Sequence, residues 1–308
     1  MPLTVNKSYI TQTHFLFYCH IKVKIPMHYG EAILNQAFNL LENIDKTYNS
    51  YQQGSFFNQI NTNAGSFTEV DATTIYLLKE LKKVAELTNG VYDITTMPLI
   101  KLWRFYKNTT TEIPTKEQIK NTLNSVNYNY IEIEENKVKI ANFQEIITGS
   151  FIKAYAVDCV IQLLKEHGIT DAIINAGGST IAALTDDTHP NWKINLPHPF
   201  DTNKQKATIT LSNGCFSLSA RNENYINING KKYGHILNAK TGYPSDNLQL
   251  GLISENAFIG DVLSTALFSV PPEEFIATAK KLAEHYLFKA YLIDGNEKFH
   301  DFNFNNAS

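Results

Sequence analysis

Apolar residues recur every three or four positions across Gly30–Ile44 (GEAILNQAFNLLENI), Ala72–Leu87 and Lys153–His167, which predicts three amphipathic helices. Asn89-Gly90 closes the second and Gly168 the third. Shorter helical patterns span Thr115–Val126, Gly260–Val270 and Pro272–His285. Runs of β-branched and aromatic residues predict strands at 14–25 (HFLFYCHIKVKI), Asp171–Asn175, Trp192–Leu196, Lys206–Leu211, Cys215–Ser219, Tyr225–Ile228 and Leu287–Ile293. Two short strands are predicted within Tyr130–Ile140, around Glu135-Asn136. Helices interspersed with strands of mixed connection predict an α+β fold built on a mixed sheet. No internal repeat and no low-complexity linker divides the chain, so it reads as one unit.

Composition narrows the function classes. The 308 residues are enough to bury a sizeable core, and 43% hydrophobic against 19% charged residues describe a globular chain. The net charge is 27 − 30 = −3 with no Lys/Arg-rich block, so no nucleic-acid footprint is expected. No run of 18 apolar residues occurs, so no transmembrane segment is expected. Cys19, Cys159 and Cys215 lie far apart without a C-x-x-C pair, which argues against a zinc cage or a disulfide framework. The stretch FLFYC at 15–19 is too short for a secretory core and is bracketed by His14 and His20. Tyr18 stands where a lipoprotein signal would place a small residue before Cys19. The chain is therefore expected to be cytoplasmic as given, or the mature part of an exported, periplasmic protein with its signal removed.

Four stretches could carry chemistry. Tyr92–Leu99 (YDITTMPL) sets a carboxylate, hydroxyls and a proline between apolar segments, and reads equally as a capped turn. Thr148-Gly149-Ser150 precedes a helix carrying Lys153, an arrangement that offers backbone N–H groups to an anion or simply caps the helix. Downstream, Asn175-Ala176-Gly177-Gly178 could let backbone approach a ligand, as many loop glycines could. Gly234–Pro244 gathers His235, Lys240 and a Thr-Gly-Tyr-Pro turn; alone, His235 reads more readily as structural than catalytic. In Gly260–Leu267, Asp261 and Thr265 stand at i and i+4 on one helix face. Their hard oxygens suit Mg²⁺, although a helix cap and a back-bonded threonine would look the same.

Taken in order, these stretches resemble the ApbE family, the FAD:protein FMN transferases. Tyr92–Phe105 (YDITTMPLIKLWRF) is similar to the family's FDPTVGPLVNLWGF, and Thr148–Asp158 to its LGGIAKGYAVD. Residues 172–178 resemble its NAGG strand and turn, His235–Pro244 its HIIDPRTGYP, and Asp261–Leu267 its DALATAL helix. Tyr51–Asn61 is similar to its YDPDSELSRLN. The chain departs from the family at Met97, Ile147, Ser150, Ile152, Asn238 and Lys240, and across Leu218–Asn222.

The resemblance implies a two-lobed single domain over residues 8–298, with a largely antiparallel sheet, packed helices and an FAD cleft, followed by a tail at 299–308. It implies Mg²⁺-dependent transfer of FMN from FAD to a Ser/Thr hydroxyl of an acceptor protein, with release of AMP. Asp261, Thr265 and the turn at Ser150 would hold Mg²⁺, and His235 would take the hydroxyl proton. Lys153 and the Asn175, Ala176, Gly177, Gly178 turn would face phosphate or ribose. Tyr51 and Tyr92 would pack on the flavin, and Asp93 and Thr95 would line the cleft. Two alternatives stand beside this: a pyrophosphatase splitting FAD into FMN and AMP, and a non-catalytic FAD-binding protein, which the departures would explain.

Overall fold

The computed structural model describes residues 8–105, 112–200 and 205–304. Its strands are β1 Tyr9–Leu16, β2 Cys19–Pro26, β3 Thr68–Glu69, β4 Glu132–Glu134, β5 Lys137–Lys139, β6 Ala172–Ala176, β7 Thr180–Leu184, β8 Trp192–Pro197, β9 Gln205–Leu211, β10 Gly214–Ala220, β11 Tyr225–Ile228, β12 Lys231–Gly234, β13 Gln249–Ser254, β14 Phe288–Ile293 and β15 Phe299–Phe302. The α-helices are α1 Glu31–Tyr48, α2 Phe56–Thr62, α3 Ala72–Leu87, α4 Met97–Trp103, α5 Lys116–Leu123, α6 Ile152–Glu166, α7 Ala257–Ser269 and α8 Phe275–Ala283.

Eight strands form one sheet in the order β1-β2-β6-β7-β10-β13-β14-β15, each pair antiparallel. Side chains alternate between its faces, as a period of two requires. Cys215, Leu250, Leu252, Ala290 and Leu292 join the main core, which includes Val157 and Val160 of α6 and Val262, Leu263 and Ala266 of α7. Phe216, Leu218, Tyr291 and Ile293 point the other way, onto Ile194 and Leu196 of the β8–β9 hairpin. A third cluster joins Leu99, Ile100 and Trp103 of α4, Ile119 of α5, Ile226 and Ile228 of β11, and Leu237. This is the second lobe expected from the sequence. The Thr241–Pro244 turn belongs to its packing: Trp103 Nε1 donates to the Gly242 carbonyl at 2.8 Å.

The structure departs from the sequence reading at both ends of the chain, and the helix read as Gly260–Val270 begins three residues earlier, at Ala257. Residues 14–25, read as one strand, are two strands joined by a two-residue turn at Phe17-Tyr18, because Leu16 pairs with Cys19. Both turn residues have positive φ, 50° and 59°, the backbone of a type I′ hairpin that normally selects Asn-Gly. With aromatics there the turn carries no sequence signal, and each residue costs about 1–3 kcal/mol of backbone strain. Likewise, residues 299–304 are not a tail. Phe299–Phe302 pairs with β14 and Phe304 is buried against Tyr291; residues 305–308 lie outside the described residues.

Candidate active site

A cavity of about 680 Å³ is walled by both lobes. Leu218, Lys153, Ser179, Asp261, Ser264 and Thr265 come from the main body, and Ile100, Leu237, Ile236 and His235 from the smaller lobe side. That volume falls within the usual range of ligand sites.

Asp261 sits one turn into α7, whose N-cap is Asn256, so the cap reading of Asp261 does not apply. Its carboxylate accepts hydrogen bonds from the Thr180 hydroxyl on β7 and the Ser217 hydroxyl on β10, both at 2.7 Å. Gly260 makes this approach possible: a Cβ there would stand 2.4 Å from Ser254 Oγ and 2.8 Å from Ser217 Oγ. Burial pushes the Asp261 carboxyl above the usual carboxylate range, while the Lys153 charge and the two hydroxyl bonds pull it back. The N-terminus of α7 is held by Asp158 on α6, whose two oxygens accept from the Ala257 and Phe258 amides at 2.7 and 2.8 Å. Thr265 lines the same cavity one turn further along α7.

Lys153 lies in the first turn of α6, and its Nζ donates to Ser179 Oγ at 2.5 Å and to the Ala176 carbonyl at 3.2 Å. The Asn175–Gly178 turn therefore holds the lysine and does not itself line the cavity. The Gly178 amide is used by Asn175 Oδ1 and the Gly177 amide by the His20 carbonyl, so neither is left for a phosphate. Asn175, Ala176, Gly177 and Gly178 are thus placed as scaffold.

His235 reaches the cavity from the loop after β12. Its Nδ1 lies 3.0 Å from the Asn224 carbonyl, which also accepts the His235 backbone N–H. A carbonyl only accepts, so Nδ1 carries the proton and Nε2 keeps its lone pair. Burial lowers the imidazole pKa below its ordinary value, with the bond to Asn224 acting the other way.

The aromatic and turn residues divide. Tyr51 lines the cavity and is partly exposed. Tyr92 also lines it but is 3% exposed, with its hydroxyl 3.1 Å from Ser150 Oγ, so it is wall and no open platform. Gly149 and Ser150 line the cavity at the start of α6. Asp93 touches the cavity, but its oxygens are occupied by the Thr95 amide and hydroxyl at 2.8 and 2.7 Å and by the Tyr128 amide at 2.7 Å. Thr95 is fully buried behind it and also accepts from the Asn127 amide. Asp93 and Thr95 shape the turn into α4, as a capped turn would, and do not present ligand-binding atoms.

Several cavity residues escaped the sequence reading, Glu223 and Tyr18 among them. Glu223, in the loop after β10, keeps surface open to the cavity; withdrawal from bulk water raises its carboxyl, and with Lys153 lowering and Asp261 raising it the value is pushed up to about 7. Its signal was a carboxylate in the polar stretch Arg221–Asn224 between two strands. Tyr18 was hidden inside the five-residue apolar run at 15–19, where alternation breaks down.

The oxygens around Asp261 are of the chemical kind that a hard divalent cation would take. Among the described residues no group of three His, Cys, Asp or Glu side chains could hold a metal by itself. Asp261 is a desolvated carboxylate without an ion-pair partner at contact distance among those residues. With Thr265 and the hydroxyls around it, it offers the few oxygen ligands that Mg²⁺ takes when phosphates and waters complete its shell.

Comparison with known proteins shows the family. The ApbE family model matches residues 17–288. The FAD:protein FMN transferase of Klebsiella pneumoniae (strain 342) is 26% identical over 270 residues, covering 85% of this chain and 82% of that protein. The protein of the same name from Haemophilus influenzae is 27% identical over 245 residues, covering 76% and 70%. Among solved structures, the ApbE protein of Thermotoga maritima superimposes with a TM-score of 0.88 at 23% identity, over 97% of this chain and 98% of that one. The flavin transferase ApbE from Vibrio cholerae gives 0.81 at 20% identity, over 96% and 97%. The family match runs from the β1–β2 turn into β14, through both lobes and the cavity between them, and the chain belongs to the ApbE family.

Proposed function

We propose that this chain transfers FMN from FAD to a serine or threonine hydroxyl of an acceptor protein and releases AMP. The observation that carries the reading is the convergence of His235, Lys153, Asp261 and Thr265 on one cavity, in a family whose relatives are named for that transfer. In the reaction the acceptor oxygen bonds to the phosphorus bearing FMN. The bond from that phosphorus to the bridging oxygen breaks, and the bridging oxygen leaves on AMP. The hydroxyl proton goes to His235 Nε2, which is free and unprotonated because Nδ1–H is committed to Asn224. Lys153, fixed by Ser179 and Ala176, sets a positive charge beside the pyrophosphate. Asp261 and Thr265, with the turn at Ser150, would hold Mg²⁺, which when bound offsets negative charge on the phosphate oxygens.

The test is incubation of the full chain with FAD and Mg²⁺, with and without acceptor proteins, followed by chromatography for AMP and FMN. Transfer gives AMP in proportion to acceptor-bound flavin. Free FMN plus AMP without acceptor means hydrolysis, and tight FAD binding with no AMP under any condition means a binding protein; either replaces the transferase reading.

A further inference from the structure

Asn229 and Gly230 close the β11–β12 hairpin with φ of 52° and 83°, the left-handed pair that a two-residue turn requires. Tyr225 stands opposite Gly234, and Ile228 opposite Lys231. One residue before Tyr225, the Asn224 carbonyl accepts the His235 amide at 3.0 Å, so Asn224 and His235 form a hydrogen-bonded pair. Along an antiparallel ladder such pairs alternate with pairs that do not bond. The next bonded pairs are therefore Ile226 with Tyr233 and Ile228 with Lys231. Tyr225 and Asn227 point their N–H and C=O groups away from β12, and these four groups have no partner among the described residues.

This free edge is anchored, and it leads into the cavity. Ile226 and Ile228 bury their side chains with Leu99, Ile100 and Trp103 of α4, which holds β11 in place. Glu223, Asn224 and His235, at the open end of the hairpin, line the cavity. An extended chain advances about 3.3 Å per residue. Paired with Asn227 and Tyr225 and continuing past them, it meets the cavity at Asn224, one residue on. A strand edge with unpaired groups is a template for a further strand. The outer strands of the eight-stranded sheet, β1 and β15, have edges too, but neither contributes a residue to the cavity.

We infer that the free edge of β11 docks the acceptor: a segment of the acceptor protein adds in extended form beside β11 and brings its serine or threonine hydroxyl to His235. The inference rests on the transferase reading above. In docking of this kind main-chain bonds supply affinity, and side chains on alternate residues supply selection. Those on one face of the added segment would meet Tyr225 and Lys232, whose Nζ lies 4.4 Å from the Tyr225 ring centroid.

The experiment incubates the full chain with FAD, Mg²⁺ and short synthetic peptides, each carrying one serine or threonine, and reads flavinylated products by mass spectrometry. The best acceptor peptide is then remade with a single backbone N-methyl group at each position in turn. An added strand turns its N–H groups alternately toward and away from β11. N-methylation should therefore block transfer at every second position and be tolerated between. On the protein side, Tyr225→Pro deletes an outward N–H that the hairpin does not use, and Tyr225→Ala keeps it. Tyr225→Pro should lower kcat/KM for the peptide about 10-fold, through KM, while Tyr225→Ala stays within about 2-fold. FAD affinity should match wild type in both, and the methyl scan decides the matter even where the proline variant fails to fold. A methyl scan without the two-residue period, or Tyr225→Pro as active as Tyr225→Ala, overturns the docking edge and leaves the transferase reading standing. Flavinylation of a folded acceptor protein but of no peptide does the same. A wild-type chain that transfers FMN to neither overturns the transferase reading and the docking edge with it.

Discussion

At the residue scale, one carbonyl decides what His235 can do. The Asn224 oxygen fixes the proton on Nδ1, and burial lowers the ring's affinity for a second proton, so Nε2 is the atom that would accept one. His235→Ala should slow AMP release by a factor of about 10² to 10⁴ and leave FAD affinity within a few-fold. Single-turnover release and FAD binding on the same variant check this; equal losses in both would make the histidine structural. Glu223 allows a prediction about pH. Its carboxyl is raised from 4.5 to about 7 in the folded chain. Between those values the folded state holds a proton that the unfolded state has lost, so this group's contribution to stability is full at low pH and is lost as pH rises through 7. Glu223→Gln removes that slope. Its thermal midpoint should exceed the wild-type value at pH 8 and match it near pH 4.5, and parallel midpoint curves across this range would contradict the assignment.

At the scale of elements, α7 positions the candidate metal ligands, and α6 positions α7. Asp158 accepts two of the first amides of α7, and Asn256 accepts a third through Ile259. These are groups a helix leaves without partners of its own. Asp158→Ala should lower unfolding stability by about 1–3 kcal/mol, measured by denaturant titration, and should weaken Mg²⁺-dependent activity by letting the α7 N-terminus fray. A stable variant with full activity would show that packing alone holds α7. The same elements show what sequence could reveal. α1, α3 and α6 follow from the spacing of their buried residues, such as Leu34, Ala37, Phe38 and Leu41, because each presents one face to the core. β7 (TIAAL) and β13 (QLGLIS) stayed hidden: both are wholly or largely buried on two faces, so neither alternates, and one is alanine-rich while the other contains glycine. The β1–β2 turn hid for the opposite reason, since its residues oppose its geometry.

At the scale of the molecule, the residues singled out in the sequence divide by position: Asp261, Lys153, Thr265, His235, Tyr51, Tyr92, Asp93 and Ser150 line the cavity, while Thr95 and the Asn175–Gly178 turn do not. Asp261, Lys153, Thr265 and His235 reach it together from α7, α6 and the smaller lobe side. Asp93, Thr95 and the Asn175–Gly178 turn sit in equally suggestive stretches, yet carboxylates, hydroxyls and glycines also build turns, and here they do that. If Asp261 holds the metal proposed for it, stability and function conflict at this one residue. Its folded pKa is raised above the ordinary 3.8 by burial. Stability from this group is therefore fully present below that ordinary value and is lost as pH rises through the folded one. A cation bound there would reverse the loss by acting on the folded state only, worth about 2.7 kcal/mol at 100 times its dissociation constant. Asp261→Asn should accordingly unfold at or above the wild-type temperature at pH 7 in EDTA, because it deletes the desolvated charge. Millimolar Mg²⁺ should then raise the wild-type midpoint and leave the variant's unchanged, with flavin transfer abolished in the variant. Calorimetry of both chains with and without Mg²⁺ decides the matter independently of activity. Equal Mg²⁺ shifts in the two chains would remove Asp261 from the metal site, and a variant less stable than wild type in EDTA would mean that its bonds to Thr180 and Ser217 outweigh the cost of burying its charge.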